Sequence, residues 1–278
     1  MGLASIGLYH IRREEERKQI EQRLKQIEKC RQLSKEFWDC AARNSTNTMC
    51  GPEYYKIMKC IEDKVVLQHV VDRCKMSKNI DKIIVATTNK KDDDIIEKYC
   101  IDNNILSYRG DENNVLERYY LTATTFNSDI IIRVTSDCPL IDYKIIDNML
   151  EYFKENNLKF LQPKYFNGNN QKSRGGFPDG FNPQIFTYNV LKETYKNSKT
   201  DFEKEHIGPY MVKNFLQKEY NIPLIKNYSK IDLYNLHLSL DTIEDYNLIK
   251  NIYNELYIKN NNFSLYDVLD FLNIYNSK

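Results

Sequence analysis

Glycine and proline are scarce in this chain, with nine and seven among 278 residues. Flexible linkers are rich in these residues, so their scarcity argues against several domains joined by long linkers. Charge of one sign is also lacking, because 40 basic residues are balanced by 39 acidic ones, for a formal net charge of +1. We therefore expect no nucleic-acid partner and no membrane surface that depends on bulk charge.

Long apolar stretches are missing too, because no run approaches the ~18 residues that a membrane-spanning helix requires. Residues 1–10 are mildly apolar, but their basic residues follow the apolar part, whereas a secretory signal has them first. Ile6 stands where a myristoylation signal has serine or threonine. The sequence therefore predicts a cytoplasmic protein with no membrane partner.

The strongest local signal that is present lies at residues 129–142. Residues 130–132 are three isoleucines without alternation, which predicts a strand covered on both faces. Pro139 ends the stretch because it has no N–H for a ladder. Asp137 then follows the C-terminal end of a buried strand, at the edge where ligands bind in α/β sheets, and an aspartate there can hold a divalent metal. The alternative is that Asp137 only caps a turn.

Strand and helix patterns alternate from residue 61 onward, which predicts an α/β fold with a mostly parallel sheet and helices on both faces. The predicted strands are 80–87, 105–108, 130–132, 159–162, 184–186 and 236–240, and the predicted helices are 64–75, 92–103, 115–125, 143–156, 189–195, 201–216, 244–256 and 265–275. We therefore treat residues 61–278 as one domain. Residues 1–60, with a charged helical pattern at 12–35, form a helical N-terminal extension.

The extension has four cysteines at equal intervals, Cys30, Cys40, Cys50 and Cys60. This spacing resembles the twin Cys-x9-Cys helical hairpin, or CHCH domain, of small proteins oxidised in the mitochondrial intermembrane space. The resemblance implies disulfides Cys30–Cys60 and Cys40–Cys50, and that compartment as an alternative location. The other interpretation is four unpaired thiols at coincidental spacing.

Short motifs occur in a fixed order between about residues 56 and 257. They are Leu67-Gln68-His69-Val70, Ile84-Val85-Ala86-Thr87-Thr88, Tyr108-Arg109-Gly110-Asp111, Val115-Leu116-Glu117-Arg118-Tyr119, Arg133-Val134-Thr135-Ser136-Asp137-Cys138-Pro139-Leu140-Ile141-Asp142, Phe177-Pro178-Asp179-Gly180, Glu205-His206 and Leu240-Asp241-Thr242-Ile243-Glu244-Asp245. In this order the chain resembles the cytidylyltransferase family, which includes CMP-Kdo synthetase and the spore-coat polysaccharide biosynthesis protein F group. No single motif carries the resemblance.

The resemblance implies a Rossmann-like nucleotidyltransferase fold that joins CTP to a sugar or sugar acid and releases pyrophosphate, in the synthesis of surface polysaccharide or glycan. It also implies a homodimer. Carried over by position, Asp137 and Asp241 would hold one Mg²⁺, with Arg133 beside them in the catalytic site. The resemblance further assigns the nucleotide to Thr87, Arg109, Gly110 and Asp111, and the sugar to Asn182, Glu205 and His206.

Three of these residues have a structural alternative. Asp241 could cap the helix that begins near residue 244, and His206 could be a helix-face residue bonded to a neighbour. Asn182 could be a loop residue, and it departs from the family, which often has aspartate at this position.

The family's N-terminal loop, whose arginine and lysine hold the triphosphate, has no intact match. Residues 42–46 match it in part; alternatively residues 3–9 form the first strand with Arg12 and Arg13 as its cations, or the hairpin replaces that strand. Without these cations, the negative charge of the pyrophosphate leaving group would not be neutralised. The second hypothesis is therefore a catalytically impaired nucleotide-sugar-binding or scaffold protein with a disulfide-bonded hairpin. A third is that the segment before about residue 56 is not native to this domain.

Overall fold

The structure is a computed structural model that describes residues 60–61, 64–163, 166–167, 171–172, 177–220, 236–257 and 259–275, with residues 25 and 28 as isolated positions. The predicted extension, residues 1–60, and the alternatives for the phosphate loop lie almost wholly outside the described residues. Cys60 is disulfide-bonded. Its partner also lies outside them, as do Cys30, Cys40 and Cys50, so the expected pairs stay predictions.

Strands and helices alternate through the described part of the chain. The strands are β1 (Cys60–Ile61), β2 (Lys64–Val65), β3 (Ile84–Thr88), β4 (Leu106–Gly110), β5 (Ile130–Arg133), β6 (Phe160–Pro163), β7 (Phe166–Asn167), β8 (Gln171–Lys172), β9 (Gln184–Thr187) and β10 (Lys218–Tyr220). The helices are α1 (Val66–Lys75), α2 (Asp94–Asp102), α3 (Val115–Thr125), α4 (Tyr143–Glu155), α5 (Tyr188–Asn197), α6 (Asp201–Glu205), α7 (Gly208–Phe215), α8 (Ile243–Leu256) and α9 (Leu265–Tyr275), with a 3₁₀ turn at Lys91–Asp93.

The main sheet has the order β10-β6-β9-β5, and β3 and β4 form a separate two-stranded sheet. Pairing is parallel between β3 and β4 and between β6 and β10, whereas β9 lies antiparallel between β5 and β6. The expected α/β architecture is confirmed, and the parallel sheet is interrupted by this one reversed strand. Because β9 is reversed, its N-terminal end lies beside the C-terminal ends of β5 and β6.

Alternating side chains of the sheet enter two different cores. Leu161 and Ile185 pack with α4, α8 and α9 on one face. Phe160 and Phe186, their neighbours in sequence, pack with α3, α5 and α7 on the other face. Successive side chains of a strand point to opposite faces, so helices cover both sides of the sheet as expected.

Two predicted elements change most in the structure, while the others keep their type, several with shifted ends, such as the strand expected at 80–87, which is Ile84–Thr88. Residues 236–240, expected as a strand, are not in a ladder, although Leu238 and Leu240 are buried. The helix expected at 201–216 is two helices, α6 and α7, separated at His206, whose backbone is extended. Pro209 explains the break, because in a continuous helix its ring would clash with the carbonyl four residues earlier.

The loop that follows β5 is bonded to distant parts of the chain. Arg73 of α1 donates from Nε to the Ile141 carbonyl (2.5 Å) and from Nη2 to the Phe263 carbonyl (2.8 Å). The Tyr253 hydroxyl of α8 donates to the Pro139 carbonyl (2.6 Å). These contacts are buried, so they hold the loop against α1, α8 and the start of α9.

Asp142 completes this anchoring of the loop. Its Oδ1 accepts from the backbone N–H of Lys144 (2.9 Å) and caps α4, while Oδ2 accepts from the N–H of Leu265 (2.9 Å). The side chain is only 2% exposed. Both carboxylate oxygens are thus used to fix the loop to α4 and α9.

Among the helices of the described residues, none has the length and the apolar composition that crossing a membrane requires.

Replacing Arg73 by methionine is expected to lower the free energy of unfolding by about 2–4 kcal/mol, because it leaves the buried carbonyls of Ile141 and Phe263 without their donor. Urea unfolding followed by circular dichroism measures the loss. Lys75→Met, at an exposed position of the same helix, is the matched control. Equal stability of the two variants would contradict the anchoring role.

Candidate functional site

The edge of the sheet beyond β5 brings three segments together. Leu240 donates its backbone N–H to the Asp137 carbonyl (2.8 Å), which places Asp241, the next residue, beside the Asp137 segment. The segment of Leu240 also exchanges backbone hydrogen bonds with Asp179: Leu238 N–H donates to the Asp179 carbonyl (3.2 Å), and Asp179 N–H donates to the Leu236 carbonyl (3.1 Å). Residues 236–240, which we call the strip, are therefore hydrogen-bonded to the backbone of both aspartates.

Gly180 allows this close approach. Its φ is +91°, a region that side chains rarely adopt, and a Cβ atom at this position would lie 2.5 Å from the Leu238 carbonyl oxygen. The turn after Asp179 can therefore contact the strip only when residue 180 is glycine.

His237 lies among the carboxylates that the strip gathers. Its Nδ1 is 3.0 Å from Asp179 Oδ2 and its Nε2 is 2.9 Å from Asp241 Oδ2. Ser239 Oγ lies 3.2 Å from His237 Nε2, and Asp245 Oδ2 lies 3.6 Å from it. Each ring nitrogen of His237 therefore lies within hydrogen-bond distance of a different carboxylate.

The structure gives the helix cap to other residues than Asp241. Thr242 is the N-cap of α8, and Asp245 completes a capping box by accepting from the Thr242 N–H (2.7 Å). The Asp241 N–H also donates to Asp245 (3.1 Å). The Asp241 carboxylate is thus directed to His237 and Ser239.

The pKa of the Cys138 thiol is affected by the negative charges of Asp137 and Asp179. Burial raises the pKa of the Cys138 thiol well above its usual range, and the carboxylates of Asp137 and Asp179 raise that pKa further. Cys138 Sγ donates to Asp137 Oδ1 at 3.4 Å. Two carboxylates therefore act on one buried thiol, which stays protonated at neutral pH and is no nucleophile.

The site offers ligands for a divalent cation. Ligand atoms of His237, Asp241 and Asp245 lie within 4.8 Å of one another, the one such group found within the described part of the chain. Asp137 is not a member of this group, although its backbone is bonded to Leu240. The carboxylate oxygens are the donors that Mg²⁺ prefers.

A polar layer adjoins these carboxylates on the face of the sheet that α3, α5 and α7 cover. Arg133 pairs with Gln184 across β5 and β9, and its Nη1 donates to Gln184 Oε1 (3.1 Å). Gln184 Nε2 in turn donates to Gln162 Oε1 (3.3 Å). Both glutamines are buried, with 8% and 4% of their surface exposed. We call Arg133, Gln184 and Gln162 the amide layer.

The residues assigned to the nucleotide meet at the ends of β3 and β4. These strands are parallel, and their register pairs Thr87 with Arg109 and Thr88 with Gly110. The carboxyl ends of both strands therefore present these residues at one edge. A Cβ at Gly110 would lie 2.9 Å from the Arg118 side chain, so this position also needs glycine.

Arg109 and Thr87 are engaged within the chain. The Arg109 guanidinium donates to Asp94 (2.6 Å) and Glu97 (3.0 Å) of α2 and to the backbone carbonyls of Thr88 and Lys90. Thr87 Oγ1 donates to the carboxylate of Asp93 (2.6 Å), which also accepts from Thr88. These bonds fix the loop after β3, and the nucleotide roles of both residues stay predictions.

Asp111 shapes the loop after β4. Its Oδ1 accepts from the N–H groups of Asn113 (2.8 Å) and Asn114 (2.9 Å), and its carbonyl accepts from Arg118 Nη1 (2.7 Å). The loop is therefore held in a tight turn just before α3. The nucleotide role of Asp111 stays a prediction.

The residues assigned to the sugar fall in two places. Asn182 lies two residues before β9 and donates from Nδ2 to Asp179 Oδ1 (3.0 Å), at the carboxylate site. Glu205 and His206 are exposed at the junction of α6 and α7, where the His206 ring packs edge-on against Phe202. Gly208, two residues further on, packs against the Gln184 amide of the amide layer.

Sequence reasoning missed several members of the site. Asp179 lies in a quoted motif, Phe177-Pro178-Asp179-Gly180, but received no role. His237 lies four residues before Asp241, a separation that would have placed both on one side of an extended strip. Gln162 and Gln184 lie in strands of otherwise buried residues, and a polar residue in such a strand is the signal that could have found them.

The fold and the carboxylates at its edge define an α/β domain of the nucleotidyltransferase type. The family model for cytidylyltransferases matches residues 55–272. The chain therefore belongs to the cytidylyltransferase family, which confirms the resemblance drawn from its motifs.

Individual relatives agree with this assignment. The chain is 30% identical over 193 residues to the uncharacterized protein MJ1063 of Methanocaldococcus jannaschii, covering 69% of this chain and 74% of that one. It is 26% identical to spore coat polysaccharide biosynthesis protein SpsF of Bacillus subtilis (71% and 79% covered). It is 28% identical to 3-deoxy-manno-octulosonate cytidylyltransferase of Fusobacterium nucleatum (81% and 97% covered).

A solved structure shows the same fold. The cytidylyltransferase from Leptospira borgpetersenii is 32% identical and superposes with a TM-score of 0.69, covering 80% of this chain and 89% of that one.

Replacing Gly180 by alanine is expected to lower the free energy of unfolding by about 1–3 kcal/mol, since alanine is strained at this φ. The added methyl group would also push the strip at Leu238 away from Asp179. Chemical denaturation measures the first effect. The second is seen as a shift of the His237 ring resonances in NMR spectra. Wild-type stability together with unshifted resonances would contradict the close packing.

Proposed function

We propose that the protein transfers CMP from CTP to a sugar or sugar acid and releases pyrophosphate. The observation that carries this proposal is the hydrogen bond between Leu240 and Asp137, because it brings two carboxylates from distant parts of the chain to one sheet edge. That edge is where α/β sheets bind ligands. Membership of the cytidylyltransferase family supports the reaction class.

The reaction needs little covalent chemistry from the protein. An oxygen of the sugar attacks the α-phosphorus of CTP, the new P–O bond forms, and the bond to the β-phosphate oxygen breaks with pyrophosphate as the leaving group. Positioning and neutralisation of charge account for most catalysis in such transfers. The residues at the edge of the sheet must therefore position the two substrates and neutralise their charge.

Asp137 and Asp241 are the residues that would hold Mg²⁺ in this proposal. Their carboxylate oxygens suit this ion, and two carboxylates leave the rest of its octahedron for water and phosphate oxygens. When bound, Mg²⁺ would supply charge neutralisation at the phosphate groups. His237, hydrogen-bonded to Asp241 and Asp179, holds the Asp241 carboxylate in place.

The nucleotide would lie across the ends of β3 and β4. Thr87, Gly110 and Asp111 are at that edge, and Arg109 fixes the loop beside them through α2. Base selection requires only small groups and a few hydrogen bonds at such a site. The sugar would lie on the other side of Asp137, towards Asn182 and the amide layer.

Asp137→Asn and Asp241→Asn are each expected to lower Mg²⁺-dependent pyrophosphate release at least about 100-fold, since removing one charge-stabilising group at a reacting centre has effects of this size. Asp129→Asn is the matched control, because Asp129 is exposed at the opposite end of β5. Activity of either site variant equal to that of the control would exclude the metal role.

Titration calorimetry with CTP, with and without Mg²⁺, tests the pocket without knowledge of the acceptor. We expect CTP to bind, and Mg²⁺ to strengthen binding at least about tenfold, because the cation offsets repulsion between the triphosphate and the site carboxylates. UTP and ATP are the specificity controls. Absence of CTP binding would refute the proposed function, whereas binding without turnover of any sugar would favour a catalytically impaired nucleotide-sugar-binding protein.

A further inference from the structure

One face of the main sheet changes from apolar to polar along its strands. Ile131, Phe160 and Phe186 pack in the core under α3, α5 and α7. Towards the carboxyl ends of β5 and β6, the next side chains on this face are Arg133 and Gln162, and Gln184 lies between them on β9. Both glutamines are buried and Arg133 is half-buried, and polar groups removed from water are costly unless they are hydrogen-bonded.

The charge of Arg133 is not neutralised within the described part of the chain. Its one hydrogen-bond partner there is the neutral amide of Gln184, which orients the guanidinium without cancelling its charge. A carboxylate at position 184 would instead form an ion pair with Arg133.

Two buried polar atoms at this end of the sheet have no hydrogen-bond partner among the described residues, Arg133 Nε and Asn182 Oδ1. An unpaired buried polar atom costs about 1–3 kcal/mol, and more when it is charged. A free N–H on a cation and a free amide oxygen are complementary to a ligand that carries an anionic oxygen and a hydroxyl group.

We propose that Arg133, oriented by Gln184 and Gln162, binds an anionic group of the acceptor, and that Gln184 is the residue that determines this specificity. The inference rests on the proposed function and names the class of acceptor: a sugar with a carboxylate or a phosphate group. The neutral amide of Gln184 leaves the positive charge of Arg133 available to that group.

The neighbouring carboxylates explain why this cation is required. Asp137 follows Arg133 by four residues, and Asn182 is bonded to Asp179, so the amide layer adjoins the acidic residues that face Cys138. An anionic acceptor approaching them meets repulsion, which an uncompensated guanidinium offsets. Gly208 at the start of α7 packs directly against the amide layer, because a Cβ at this position would lie 3.1 Å from Gln184 Nε2.

Gln184→Glu tests the proposal with a nearly isosteric change that gives Arg133 an internal counter-ion. Calorimetry would measure the binding of three probes to the protein with CTP and without Mg²⁺, so that turnover is suppressed. The probes are 3-deoxy-manno-octulosonate, mannose 6-phosphate and mannose. Gln217→Glu, the same change at an exposed position, is the matched control.

We expect wild type and Gln217→Glu to bind one of the two anionic probes, and Gln184→Glu to bind it at least about tenfold more weakly, the effect of losing one charge-assisted hydrogen bond. The probe that binds distinguishes a carboxylate from a phosphate. Arg133→Gln should weaken binding to the same extent, and it replaces Gln184→Glu should that variant fail to fold.

Three results would overturn the inference: no binding of either anionic probe, equal affinity in Gln184→Glu, or preference for mannose. The CTP affinities of wild type and Gln217→Glu, measured in the same way, should agree within about twofold, a difference well below the tenfold step that 1.4 kcal/mol represents. Retained CTP affinity separates a failure of this inference from a failure of the proposed function.

Discussion

Two backbone hydrogen bonds hold the candidate site together, from Leu240 to the Asp137 carbonyl and from Leu238 to the Asp179 carbonyl. They join the strip, which comes late in the chain, to two loops of the sheet edge. The carboxylates of the site belong to different segments of the chain, so the site forms only when those segments are packed together. The strip can approach this closely because Gly180 has no side chain. The position of Asp241, the contacts of His237 and the charge around Cys138 all depend on that packing.

The sequence predicted the elements whose signals are local. Helix α3 has the predicted bounds, 115–125, and begins after Asn114, whose side chain accepts from the Glu117 N–H. Strand β5 follows from three consecutive isoleucines. Such elements are specified by residues that are close in the chain. The family motifs likewise include Asp137 and Asp241, whose segments are joined by the hydrogen bond from Leu240, and their metal role stays a prediction.

Features set by long-range contacts could not be predicted. Residues 236–240 alternate apolar and polar side chains, which predicts a strand, but the alternation here reflects burial of Leu238 and Leu240 and not a ladder. The two oxygens of Asp142 accept from the N–H groups of Lys144 and Leu265, and the second of these contacts has no local signal in the sequence. The link from Gln184 to Arg133 depends on strand order, because β9 is inserted between β5 and β6.

The loop after β5 is joined to Phe263 through Arg73 and to Leu265 through Asp142, which has a consequence for biosynthesis. Arg73 and Asp142 hold that loop against a segment more than 120 residues further along the chain. While the ribosome is still making that segment, Asp142 has no Leu265 N–H to accept from, although the strands before it are already complete. We expect the aspartates of the sheet edge to reach their final arrangement only after this segment has emerged, as a late step in maturation.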